Sequence, residues 1–275
     1  AVGNITSSGN LVLQPFTTSR GMAIGGANGD FNLTDAEVAL LSDGFASIAV
    51  GRTDSTGDMN VDQITFNDPL ILRTAGTINI DGNLTGIETI NFDGNTTLTA
   101  DVLSSGNVIT FEHAVIVDSN VTVDATNLGG IAAGANVVFI GNIDATSDTN
   151  TEFLTVAGGT AGVVTFADIG TVEKLDGLNV TAASVEFGGE LNLAGELLLT
   201  IGGANFDTIN VEGMTLTNSG TATFNQNVVS NGDILLNGTG NISLGANFQV
   251  TNNGGNFTIE NSILLLTGDR SISTT

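Results

Sequence analysis

Cysteine, tryptophan and tyrosine are absent from this chain. Without cysteine no disulfide holds the fold, and thiol catalysis and thiolate metal sites are excluded. Without Trp or Tyr, a sugar-stacking platform would have to come from phenylalanine. Positive charge is scarce: Arg20, Arg52, Arg73, Lys174 and Arg270 lie far apart in sequence. That leaves no electrostatic footprint for nucleic acid, and an anionic membrane surface repels the chain. No apolar run reaches the ~18 residues that would span a bilayer. No signal peptide is visible and the chain opens at Ala1, so a processed chain or an excerpt is expected.

What is present is acid, glycine and short apolar segments. The net charge of −24 suits solubility, divalent cations or cationic partners. With 41% hydrophobic residues the chain can bury a sizeable core, and disorder is not expected. Its 37 glycines, with Asn, Asp, Ser and Thr, supply tight turns. Long helical patterns are missing, with one exception. Thr34-Asp35-Ala36-Glu37 is a capping box, and it predicts a short helix over 34–42 ended by Gly44.

The rest reads as strands and turns. Val164-Thr165-Phe166 and Val185-Glu186-Phe187 each place apolar residues on one side of a half-buried strand, with glycines between them. Similar triplets end at Phe66, Phe111, Phe139, Phe206, Phe224 and Phe248. Their mean spacing of roughly 23 residues is that of a solenoid. The expected fold is all-β, a right-handed parallel β-helix formed by residues 1–275 as a single unit. About twelve coils would make a rod of roughly 55–60 Å. Thr77–Asn83 recurs as Thr89–Asn95 and again as Thr208–Met214, as two sides of a coil or a local hairpin. Ile263–Leu266 and the residues after it read as a coil in progress, so the protein is expected to continue beyond them.

Phe31–Glu37 followed by Phe45–Asp54 resembles a segment of filamentous-haemagglutinin-like exoproteins of two-partner secretion and related giant bacterial adhesins. Residues 162–195 and Leu266–Arg270 are similar to repeats of the same proteins. The resemblance implies a parallel β-helix, export to the cell surface, and a non-catalytic role in adhesion or surface structure. Its implied partners are a host or neighbouring-cell surface, or copies of itself. It supplies no catalytic residues.

Candidate chemistry is sparse. Asp54, Asp58 and Asp62, spaced by four in a turn-rich stretch, are calcium candidates, because calcium takes six to eight oxygens that carboxylates and turn carbonyls supply. Gly25–Asp30 is a degenerate version of a calcium-binding nonapeptide. No other cofactor is expected. His113, the only histidine, reads as a packed or loop-edge residue rather than a general base. Asp81 with Asp93 could serve a polysaccharide-cleaving enzyme as paired carboxylates. Thr97-Leu98-Thr99, Thr215-Leu216-Thr217 and Thr221-Ala222-Thr223 would have to form one flat ladder to bind ice. The leading expectation is a rigid extracellular shaft, with a self-assembling filament or surface-layer subunit as its alternative.

Overall fold

The computed structural model describes the chain except residues 1–2, 27–28, 148–150, 207, 246, 251–254, 262, 267–271 and 275. It is a parallel β-solenoid of about ten turns with almost no helix. Each coil contributes a strand, or on face 2 at Ile169 a single parallel bridge, to each of three faces. In the first full coil these are Ser47–Gly51 on face 1, Met59–Val61 on face 2 and Ile64–Phe66 on face 3. The next coil stacks on all three in parallel register: Ile48 opposite Leu70, Met59 opposite Ile78, and Ile64 opposite Leu84. The pattern repeats to Asn241–Leu244, Phe248–Val250 and Phe257–Ile259. At ~4.8 Å per coil, ten turns give a rod of about 50 Å.

Alternation within each short strand builds the core. Ile90 and Phe92 point inward and are buried, while Asn91 between them points out. Ile109 and Phe111 sit on them in register, followed by Val137 and Phe139. The rings of Phe92, Phe111 and Phe139 stack at 4.5 and 4.8 Å, tilted by only 2° and 1°. The column continues through Phe166, Phe187, Phe206 and Phe224. Such ring pairs contribute about 0.5–1.5 kcal/mol each beyond the area they bury. Phe66 and Phe248 belong to other faces: Phe66 lies on face 3, and Phe248 lies on face 2, where its ring meets Phe224 edge-on at 4.9 Å. The mean spacing therefore averaged over phenylalanines of different faces.

The repeated segment resolves into faces as well. Ile78 and Ile80 lie on face 2, whereas Ile90 and Phe92 lie on face 1 of the next coil. All these pairings are parallel, so there is no hairpin.

The N-terminal region departs from a simple stack. Phe31–Thr34 pairs with the outer side of Met22–Gly25, which itself pairs with Met59–Val61, so chain order and stacking order differ there. The helix is shorter than 34–42: it covers Asp35–Val38, with Thr34 and Glu37 forming the expected capping box. It stops before Gly44 because Leu40 already bonds back to Glu37, and Leu41 enters a parallel bridge with Ile5. No described helix is long and apolar enough to cross a membrane.

Candidate functional site

The corners between faces carry the polar chemistry, because the ladder is interrupted there and backbone N–H groups need other acceptors. Asp and Asn side chains of one coil supply them to the next. Asn83 accepts from the Asp101 N–H, Asp101 from Thr122 at 2.7 Å, and Asn120 from Phe153. Asp168 and Asp233 do the same for Glu190 and Asn256.

The three aspartates expected to hold calcium are dispersed. Asp54 forms a two-bond pair with Arg52, at 2.5 and 2.8 Å. The hydrogen bonds from that guanidinium hold the Asp54 carboxyl below the ordinary carboxylate range. Asp58 accepts the Thr77 N–H at 2.9 Å on the corner between faces 1 and 2. Asp62 follows the strand Met59–Val61 and so stands at the opposite end of face 2. At ~3.3 Å per residue the step from Asp58 to Asp62 along that strand is about 13 Å, too long for one cation. Among the described residues, no group of three or more His, Asp or Glu side chains is placed to hold a metal ion. The Gly25–Asp30 stretch, read as part of a calcium-binding nonapeptide, includes positions outside the described residues.

Asp62 instead meets Asp81, its counterpart one coil on. Burial, and then the charge of Asp62, push the Asp81 carboxyl above its ordinary value. Sequence reasoning missed this pair. Its signal is a matching position: each aspartate directly follows the last inward residue of a face 2 strand, Val61 or Ile80.

Asp93 lies on the corner between faces 1 and 2, away from Asp81, so those two carboxylates do not form the pair a glycosidase would use. Asp93 Oδ1 lies 3.3 Å from His113 Nε2, and the two side chains are 36% and 53% exposed. They border a groove of about 320 Å³ with Thr53, Thr74, Ala75, Gly94 and Asn95. The buried hydroxyl of this groove, Thr74 Oγ1, is committed to the Gly57 carbonyl at 2.8 Å. His113 is thus an exposed residue at the loop edge, beside Asp93, rather than a packed one.

The threonine triplets fall on different faces: Thr97 on face 2, Thr215 on face 3 and Thr223 on face 1. They do not form a single ladder.

Arginines distant in sequence lie along one corner of the rod, which they share with Asp54, Asp58 and Asp93. Arg52 Nη1 donates to the Phe16 carbonyl at 3.2 Å, and Arg73 Nε donates to the Gly51 carbonyl at 3.2 Å. The Thr56 N–H reaches the Thr18 carbonyl, which sets Arg20 beside the same turn. Arg20, Arg52 and Arg73 therefore occupy successive coils of the corner between faces 1 and 2.

No family model, no curated protein and no solved structure matches this chain.

Proposed function

We propose that this chain is a rigid, non-catalytic shaft of a secreted or cell-surface protein, holding a binding element away from its base. The observation that carries the reading is the stack: from Ser47 to Ile259, faces 1 and 3 run in parallel register from coil to coil, and on face 2 single parallel bridges at Ile169 join the two runs of strands. A single core runs the length of that stack. In such a rod each coil contacts only its neighbours, and the continuous core and ladder resist bending. The extracellular setting rests on the resemblance of residues 31–54 to surface exoproteins and is in keeping with a cysteine-free, acidic chain.

The test uses the chain as a soluble competitor in an adhesion assay with cells that display the parent protein. A passive shaft leaves adhesion unchanged at saturating concentration. Removal of whole coils from the displayed protein lowers adhesion as reach is lost. Competition by the isolated chain would place the binding site within it and overturn the shaft reading.

A further inference from the structure

Face 3 has an opening beside Ile64–Phe66. That strand pairs with Leu84–Gly86 on one side and, among the described residues, with no strand on the other. The Ser47–Gly51 and Met59–Val61 strands of the same coil are paired on both sides. Successive residues of a strand aim their N–H and C=O groups in opposite directions. Ile64 and Phe66 serve the next coil: the Ile64 N–H donates to the Asn83 carbonyl at 3.1 Å, and the Phe66 carbonyl accepts from the Ile87 N–H at 2.8 Å. The N–H and carbonyl of Thr65 therefore aim the other way, and neither has a partner among the described residues. The Asn67 N–H, counterpart of the bonded Ile87 N–H one coil on, also lacks an acceptor among them.

The opening is a slot rather than a rod end, because residues 35–41 border its far side. They do not complete the ladder. Asp35–Val38 is wound into a helical turn, and the Leu41 N–H donates back to the Val38 carbonyl at 2.9 Å. The Leu40 carbonyl and the Ser42 N–H are taken by Ile5, at 2.8 and 3.0 Å. Between this segment and Thr65 lies a groove of about 550 Å³. Its floor is apolar, with Leu41, Ile48 and Phe66 buried. Two acids line it: Asp35 is exposed, whereas Asp68 is only 3% exposed. One oxygen of Asp68 accepts the Gly44 N–H at 2.7 Å. Among the described residues, no cation lies within ion-pair distance of either carboxylate. A buried carboxylate without a cation is costly.

We propose that this groove takes an extended, basic segment of a partner polypeptide as an added strand of face 3. The unpaired Thr65 and Asn67 groups are the edge that strand addition uses. Along Ile64–Phe66 they offer about 10 Å of edge, which is three residues of extended chain. Alternate side chains of the segment rest on the apolar floor, and those between them face outward. The sign of the partner's charge follows from Asp35 and Asp68, to which a Lys or Arg supplies the missing cation. A second copy is disfavoured, because it brings a net charge of −24 to an acidic groove. The proposal goes beyond the shaft reading and does not depend on it, since it concerns one groove whatever the rod carries.

The experiment is fluorescence anisotropy on the whole chain with labelled heptapeptides in which lysine alternates with valine, isoleucine, leucine, phenylalanine or alanine. Two further probes replace the central apolar residue by proline, or every lysine by glutamate. Amide hydrogen exchange with and without the tightest binder locates the contact, and circular dichroism confirms that each variant is folded. The expected result is binding at about 0.1 M NaCl that the glutamate peptide does not show. The proline peptide should bind roughly tenfold more weakly, because it lacks an N–H that the ladder needs. Asp35→Asn should weaken binding about threefold, whereas Glu186→Gln, at an exposed acid of face 1, should leave it unchanged. Exchange should slow at Thr65 and Asn67. Failure of every lysine peptide to bind at about 1 mM would overturn the proposal. So would equal binding of the proline peptide, equal losses from Asp35→Asn and Glu186→Gln, or protection confined to other residues. A dimer that the peptide dissociates in sedimentation would give the groove to a second copy and overturn the choice of partner.

Discussion

At the scale of single residues, acidity is tied to the corners of the coil. Asp101 accepts the Thr122 N–H of the following coil at 2.7 Å. Asp101→Ala leaves that donor without its partner and should lower stability by about 1–3 kcal/mol, whereas Asp101→Asn keeps an acceptor and should cost less. Urea unfolding of the two variants checks this, and equal losses would show that the acceptor is irrelevant. Asp81 works in the opposite sense. Its folded-state carboxyl is raised by burial and by Asp62, so protons bind the folded form more tightly than the unfolded one. Its destabilising effect is absent below the ordinary carboxylate range and complete above the raised value. Asp81→Asn should therefore raise the unfolding midpoint at pH 7 relative to the parent chain, and the gain should vanish at about pH 3. A gain that persists at acidic pH would assign the effect to something other than charge. Which acids cap and which repel could not be read from sequence, because coils of unequal length obscure the pairing. Asp101 and Thr122 are one coil apart, but so are Asn120 and Phe153 across a longer loop.

At the scale of elements, strand identity was legible wherever apolar residues alternate, as in Ile109-Thr110-Phe111, because a two-residue period has one buried side. Face assignment was not legible, because three short strands per coil share that same pattern. Ile78 and Ile90 look alike in sequence and lie on different faces. The helix illustrates a local signal cut short by tertiary structure. Thr34 and Glu37 fixed its start, but the bridge between Leu41 and Ile5 draws the chain into the stack after one turn. Corner geometry is what keeps neighbouring faces in register, and Gly51 shows how little latitude it has. Its φ of +92° is left-handed, and a Cβ there would collide with the Arg73 carbonyl of the next coil. Gly51→Ala should cost about 1–2 kcal/mol from the backbone conformation alone, with the collision adding to it. Thermal unfolding should show a clear fall in midpoint, and an unchanged midpoint would mean that this corner relaxes freely.

At the scale of the whole molecule, the solenoid is close to one-dimensional, and its architecture was legible because every coil repeats the same physical problem. The candidate site was legible only in part. Sequence spacing of four grouped Asp54, Asp58 and Asp62, but the rod distributes them to opposite ends of one face. Residues separated by a full coil, such as Arg52 and Arg73, are the true neighbours. Modularity of this kind is testable by deletion. Ile209 stacks directly on Val228, Leu197 on Met214 and then Ile234, and Phe206 on Phe224 and then Leu244. Deleting residues 209–227 joins Thr208 to Val228 and should remove one coil from all three faces at once. Leu197 would then rest on Ile234, and Phe206 on Leu244, with apolar side chains still facing inward. The shortened chain should fold cooperatively, with scattering that reports a rod shorter by ~4.8 Å and a stability reduced by about one coil and its interface. A deletion of only residues 209–218 should instead place face 1 residues where face 2 is required, and leave inward positions without apolar side chains. If both deletions fold equally well, register between coils is not what specifies this fold. If neither folds, the coils between Ile209 and Leu244 are not interchangeable units, and the rod is held by features particular to each coil.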